Sequence, residues 1–387
     1  MKANPTATRR AAVRRLRAVL VKELHHIVRD GRSLGMALAV PVMMLLLYGY
    51  ALSLDVDKIP TLIYDQDQTD SSRDLVRQFE GSKFFDVEGY VDSYRPIERG
   101  IDTGRILIGV VIPRNYSKHT AAGRESPVQI LIDGSDSNTA SIALGYAETL
   151  VRNYSLELRS DMQNRRAGQQ MAVPIDARLR VWYNSSLESK NYVVPGLIAV
   201  VLQIIAALLT SLTIAREWEM GTMEQLLSTP LRPGEIVLGK MLAYFVVGLA
   251  DAAVAMLVGL FVFQVPMRGS ILVLGVSLCV FLCGALFWGI FVSAAAKTQV
   301  QAYQMGILSS FLPAFLLSGF VYAIETMPPV IQIITHIIPA RYVVTIMKGV
   351  FLKGVGFEVL WGELGFLLLY ATIVGLLAKR KMNQKLA

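Results

Sequence analysis

Apolar residues gather into blocks of about twenty positions with almost no charge, the length an α-helix needs to cross a hydrocarbon core of roughly 30 Å. Six such blocks predict six spans, over 33–54, 192–214, 241–264, 271–295, 303–323 and 364–378. Pro41 inside the first is a kink that membrane helices tolerate. The stretch 324–363 is also apolar, but Pro328, Pro329, Pro339, Gly349 and Gly354 interrupt it. It predicts a helical excursion that dips into the membrane and returns without crossing.

Two polar segments flank the first span. Over 1–32, Val13, Leu16, Leu20, Leu24 and Ile27 recur at helical spacing among Arg14, Arg15, Arg17 and Lys22, an amphipathic helix suited to an anionic membrane surface. Its basic lead is too long for a cleaved signal peptide, and no small-residue cleavage site follows. Over 55–191 the pattern turns soluble. Short apolar runs at 59–64, 106–112 and 128–132 predict buried strands, and 178–183 a further one. Ser71 and Asp74 predict a capping box opening a helix with Leu75, Val76 and Phe79 on one face. A longer helix carries Leu144, Ala147, Val151, Tyr154, Leu158 and Met162 on one stripe. Strands alternating with helices predict an α/β domain large enough for its own core. The fold class expected is thus an α-helical polytopic membrane protein of six transmembrane helices with an inserted α/β extracytoplasmic domain between spans 1 and 2.

Composition agrees: 53% of 387 residues are hydrophobic and only 18% charged, and mean hydropathy is +0.46. The net charge of +8 does not point to nucleic acid, because Lys and Arg collect beside the apolar spans, as they do in loops retained on the inner side. The N-terminal segment, the 216–240 loop, Lys297 and the Lys379-Arg380-Lys381 tail fall on one side and are richer in cations than the opposite loops. Both termini are therefore expected in the cytoplasm and residues 55–191 outside. Cys279 and Cys283 lie four apart in one apolar helix and are read as packing residues.

The most informative loop runs from Arg216 to Pro230. Thr222 and Gln225 predict a capping box, and Pro230 blocks continuation of the short helix it opens. Leu226 and Leu227 then form an apolar tip, a surface that usually docks into something. The run Glu217-x-Glu219-x-Gly221-Thr222-x-Glu224-x-Leu226-x-x-Thr229-Pro230, with Glu235, Gly239-Lys240, Tyr183-Asn184, Val194-Pro195-Gly196, Ser318-Gly319-Phe320, Pro328 and Ile338-Pro339-Ala340-Arg341-Tyr342, resembles the permease subunits of bacterial ABC exporters of the type-two class, those with a large periplasmic domain. The resemblance covers nearly the whole chain. It implies that the coupling loop 215–240 contacts a separate ABC ATPase through Glu217, Glu219, Gly221, Thr222, Glu224, Leu227, Thr229 and Pro230, together with the N-terminal helix. It also implies a second permease copy, identical or a paralogue, with lipid around the spans and a periplasmic adaptor as a further partner.

The chain's own chemistry is sparse. Gly234-x4-Gly239-Lys240 has phosphate-loop spacing, but Met241 stands where a Ser or Thr must reach magnesium, and a span follows directly. No cofactor is expected in this chain; ATP and Mg belong to the partner. Asp251, near the middle of the third span, must face the bundle or a wet cavity. With Gln203 and Gln304 it forms the candidate pathway, set against structural roles in which Gln203, Gln301 and Gln304 bond between helices. Glu325, Arg341 and Lys348 are candidates for the outer mouth or for interface anchors. His25-His26 lacks supporting metal ligands, Asp65 and Asp67 read as turn residues, and no catalytic triad assembles. Two readings remain besides a membrane enzyme: an ATP-driven exporter of amphipathic or lipophilic cargo in the bacterial inner membrane, and a non-transporting mechanotransmission protein that senses outside and relays inward.

Overall fold

The computed structural model describes residues 5–51, 58–167, 183 and 188–386. The strand expected over 178–183 lies, except for Tyr183, outside the described residues, as do 52–54 and Asn184. The chain divides into two compact units, residues 1–53 with 181–387, and residues 54–180.

The chain opens with α1 (Pro5–Arg29) and α2 (Gly31–Ala51). The second unit then runs β1 (Ile59–Asp65), α3 (Asp70–Glu80), β2 (Phe85–Tyr90), α4 (Tyr94–Asp102), β3 (Ile108–Ile112), α5 (Tyr116–Ala121), β4 (Gln129–Ile132) and α6 (Ser137–Ala167). Its sheet has the order β2-β1-β3-β4, with β1 parallel to β2 and β3, and β4 antiparallel to β3. The first crossover steps one way from β1 and the second steps back past it. Crossovers of one hand therefore place α3 and α4 on opposite faces. Ile59 and Ile63 of β1 accordingly pack with Leu75, Val76 and Phe79 of α3 and Ala143, Ala147 and Tyr154 of α6. Leu62 and Tyr64 turn to the other face, toward Ile97 of α4. The expected α/β core is present, and β2 and α4 are additions to it. The cap differs from the expected one: Thr69, not Ser71, accepts from the Ser72 amide, and Ser72 returns the bond. Asp65 and Asp67 are turn residues, accepting from the amides of Asp67, Gln68 and Ser117.

The chain continues with α7 (Ser189–Ser211), α8 (Thr213–Glu219), α9 (Thr222–Leu227), α10 (Pro233–Leu257), α11 (Ile271–Ala295), α12 (Gln299–Leu317), α13 (Pro329–Thr335), α14 (Pro339–Lys348) and α15 (Phe357–Leu386). Among the described residues, six helices are long and apolar enough to cross a membrane: Leu34–Ala51, Ser189–Glu219, Pro233–Val262, Ile271–Ala295, Gln299–Leu317 and Phe357–Gln384. A seventh arises only if the pair Pro329–Thr335 and Pro339–Lys353, bent by 85°, counts as one span. The boundaries differ from expectation where polar residues continue a helix. The third span starts at Pro233 rather than 241, because proline fits the first helical turn and Glu235 accepts from the Arg232 amide. The fifth starts at Gln299, where Thr298 caps it and accepts from Gln301 N. The last starts at Phe357, just beyond Gly354 in the left-handed region.

Apolar all round, α7 is the central helix, and α2, α10, α11, α12 and α14 pack on it. Small residues set the distances. A Cβ on Gly289 of α11 would meet the Thr210 hydroxyl, and the Ala207 carbonyl oxygen at 2.6 Å. Close approach through small residues is the usual basis of helix association in lipid. Gly289→Ala is therefore expected to lower the thermal unfolding midpoint of the detergent-solubilised chain, at a cost of about 1–3 kcal/mol. Gly275→Ala, on the same helix with open space around it, should not. Equal midpoints for the two variants would refute this account of the α7–α11 contact.

Candidate functional site

The loop after α7 is built against its neighbours. α7 breaks at Leu212, and the freed amides of Ile214 and Ala215 both donate to Ser293 Oγ of α11, at 2.9 and 3.0 Å. Ala215 packs with Ala296 and Ala302, and Glu219 accepts from the Gln299 amide at 2.9 Å. The α8–α9 corner turns at Gly221, whose φ of 69° lies in the left-handed region that favours glycine. The capping box expected from Thr222 and Gln225 is replaced by this glycine cap, and Thr222 Oγ1 instead reaches the Glu217 carbonyl at 3.3 Å. Thr229 donates to the Leu226 carbonyl, and Pro230 follows, exposed. Glu224 is exposed. Leu226 is half-buried against the membrane core rather than presented at a tip. The side chain of Leu227 lies outside the described set.

Along α10 lies α1, and a buried ionic cluster holds the two together with α8. Lys240 of α10, 1% exposed, places Nζ 2.9 Å from Glu23 Oε1 and 3.0 Å from Glu217 Oε1. Lys22 meets the same two oxygens at 3.0 and 2.6 Å. Two ammonium groups and two carboxylates thus form a closed, neutral quartet from three helices. An isolated buried ammonium would be costly; a fully paired one is tolerated. Burial works against the Glu23 carboxylate, but Lys240 and Lys22 outweigh it and hold its pKa below the ordinary value. Burial likewise opposes the Lys22 charge, and Glu217 and Glu23 overcome it. Two turns away, Arg15 makes a bidentate pair with Glu235, at 2.8 and 2.7 Å. Gly239 permits the approach: a Cβ there would stand 2.8 Å from Val19 Cβ. Gly239-Lys240 is therefore a packing glycine and an ion-pair lysine inside a helix, not a phosphate loop.

A cavity of about 840 Å³ opens beside this cluster. Ile205 and Leu208 of α7, Leu212 just beyond it, and Tyr244 and Val247 of α10 give it an apolar wall, and the quartet also lines it. Asp251 of α10 is 1% exposed, and neither carboxylate oxygen has a hydrogen-bond partner among the described residues. Gln203 Oε1 is likewise buried without one, whereas Gln304 is exposed. None of these three lines the cavity beside the quartet. Gln301 is a cap residue, accepting from the Lys297 amide. Lys348 donates to the Gly319 carbonyl at 2.8 Å and lies over the Tyr192 ring, while Arg341 bonds to Thr335. Among the described residues no group of side chains could hold a metal ion.

Of the residues in the two ionic contacts only Glu217 is among the expected site residues; Arg15, Lys22 and Glu23 are not, and Glu235 and Lys240 enter only as motif positions. The signal was Glu23, the one acid in a basic helix, four residues after Val19 on the face that α1 buries. That face differs from the expected stripe, since Val13 is 59% exposed. Glu217, expected as an ATPase contact, is instead buried in the quartet.

The profile of the ABC-2 family transporter protein matches residues 32–379. The probable multidrug ABC transporter permease YbhS of Escherichia coli (strain K12) is 35% identical over 342 residues, 88% of this chain and 89% of that protein. The probable multidrug ABC transporter permease YbhR of the same strain is 30% identical over 371 residues, 96% and 99% of the two chains. The inner membrane transport permease YhhJ, also from that strain, is 28% identical over 309 residues, 79% of each.

Removing one partner of a buried pair leaves an uncompensated charge and costs about 3–5 kcal/mol. Glu23→Gln is therefore expected to lower the thermal midpoint markedly, and Glu23→Leu combined with Lys240→Met to recover part of the loss. A Glu23→Gln midpoint equal to wild type would refute the quartet. A carboxyl whose pKa is depressed by folding contributes stability above its unfolded value of about 4.3, and that contribution disappears as pH falls through the folded value. The wild-type advantage over Glu23→Gln should thus persist from pH 7 down to about pH 4 and vanish below it; an advantage unchanged at lower pH would contradict the sign.

Proposed function

We propose a direction and a drive for a chain that belongs to the ABC-2 family of transporter proteins and is an ABC transporter permease: it exports amphipathic or lipophilic cargo, powered by a separate ABC ATPase that binds ATP and Mg. The observation that carries this reading is the joint of α1, α8 and α10. Arg15–Glu235 and the quartet tie the N-terminal helix to both ends of the 213–240 loop. Force applied to that loop reaches the ends of α7 and α10 without crossing a flexible link. Glu219, Glu224, Thr229 and Pro230 offer the exposed side of the loop to the ATPase. Glu217 holds the loop from within, and Gly221 sets the corner.

In this reading the chain is a multi-pass protein of the bacterial inner membrane with cytoplasmic termini and residues 55–191 in the periplasm, where an adaptor protein is a further partner. Two copies, identical or paralogous, make one pathway, to which Asp251 and Gln203 contribute buried polar groups. A non-transporting mechanotransmission protein would use the same joint. The cavity of about 840 Å³ favours transport, because a force relay has no need of one.

The purified chain alone is expected to show no ATP turnover, and addition of its ATPase partner to restore it. Glu224→Arg should weaken association with that partner about tenfold while leaving the chain's thermal midpoint unchanged. The proposal fails if turnover appears without a partner, if Glu224→Arg changes neither association nor transport, or if labelling places residues 216–240 on the same side as 55–191.

A further inference from the structure

Glu217, which lines the cavity, holds a buried carboxylate oxygen that no described residue satisfies. Glu217 is 9% exposed, and its Oε1 accepts from both lysines while Oε2 has no hydrogen-bond partner among the described residues. A buried carboxylate oxygen without a donor carries an unrecovered desolvation cost. The two lysines beside it are not equivalent. The Lys240 side chain is 2% exposed and fixed in the core, whereas that of Lys22 is 49% exposed at the cavity edge. Lys22 is therefore the partner open to exchange, provided another ammonium takes its place on Glu217 and Glu23.

The rest of the lining selects the chemistry. Arg15 is neutralised by Glu235, and Arg216 and His26 are exposed at the mouth. If Lys22 swings out, Lys240 alone balances the carboxylates of Glu23 and Glu217, both of which line the cavity. The inner end then carries net negative charge beneath an apolar wall. The volume of about 840 Å³ is that of a drug-sized site, which spans roughly 300–1,000 Å³.

We propose that this cavity binds an amphipathic cation, an apolar body bearing one protonated amine, and that Lys22 is an intramolecular stand-in whose ammonium occupies the ligand's place on Glu217 until the ligand displaces it. Lys240 keeps Glu23 and Glu217 together in both states, so α1 stays docked while its contact with α8 loosens. The proposal rests on the permease reading only in taking the bound molecule as cargo; binding itself needs no ATPase.

The test is equilibrium binding of 1-pyrenemethylamine, followed by fluorescence anisotropy, to the full chain in phosphatidylcholine nanodiscs. The comparison ligands are 1-pyrenemethanol and 1-pyrenecarboxylate. The amine is expected to bind about tenfold more tightly than either, and Glu217→Gln to weaken it by about the same factor. Lys22→Met should tighten amine binding several-fold, and should no longer do so in the Glu217→Gln background. Thermal unfolding checks each variant; if Glu217→Gln does not fold, the Lys22→Met and Lys22→Arg pair decides, with only the former tightening. The proposal is overturned if Lys22→Met weakens or does not change amine binding, if the alcohol or the carboxylate binds as well as the amine, or if the signal matches that of empty nanodiscs. Loss of binding would leave ATPase-dependent turnover intact, and loss of turnover would leave binding intact, so the two failures are distinguishable.

Discussion

An ammonium group buried as deeply as that of Lys240 stands only where carboxylates surround it, and much of the architecture near the loop follows from meeting that need. Lys240 takes one carboxylate from α1 and one from α8. Glu23 must therefore face α10, which fixes the rotation of α1 about its axis. Gly239 must lack a side chain, or Val19 would hold the helices apart. Glu217 must sit where α8 ends, which fixes where the loop leaves the membrane core. A buried ion pair is weak evidence of stability, because desolvation offsets most of the attraction, and its better-attested use is to select one register over others. Here it selects the placement of three helices at once, and Arg15–Glu235 repeats the selection farther along α1.

The spans obey a different constraint. In lipid there is no hydrophobic drive between helices, so contact depends on shape. Glycines at 289 and 306 let α11 and α12 approach the Thr210–Ser211 end of α7, and Gly196 makes room for Phe320 near the other end. The hydroxyl of Ser293 then serves the two amides exposed where α7 breaks into α8. Small residues thus bring the helices close, and a single hydroxyl at the closest point supports the break from which the loop begins.

The fold class was legible because apolar runs of membrane length carry their own signal, as 271–295 does to the residue. Strands β1, β3 and β4 were legible as short, mostly apolar runs, broken only by Thr61 and Asp65 in β1 and Gln129 in β4. Strand β2 was not, because Phe85-Asp-Val-Glu-Gly-Tyr90 sits at the sheet edge with alternate residues exposed. Span ends were misplaced where capping extended a helix into polar sequence, as at Pro233 and Gln299. The loop was legible as a site, but the direction in which its side chains turn was not. Glu217 and Glu219 look equivalent in sequence, and only the positions of Lys240 and Lys22 in space bury the first and leave the second exposed. A lysine seven residues past Pro233 reads as a span-edge cation, since its carboxylates come from segments 217 and 23 positions away or from the far side of the loop.

The ionic cluster, the cavity and the buried acid of the third span are not separate features, because one stripe of α10 carries all three. Lys240, Tyr244, Val247 and Asp251 follow at spacings of four, three and four, the interval that keeps side chains on one helix face. Lys240 anchors the loop, Tyr244 and Val247 line the cavity, and Asp251 lies one turn beyond Val247, about 16 Å along the axis from Lys240. A rigid helix cannot move at one end of that stripe without moving at the other. The quartet fixes α10 to the loop at the first position, so displacement of the loop is also displacement of the cavity wall and of Asp251. Asp251, whose two buried oxygens no donor among the described residues satisfies, therefore moves with the cavity wall.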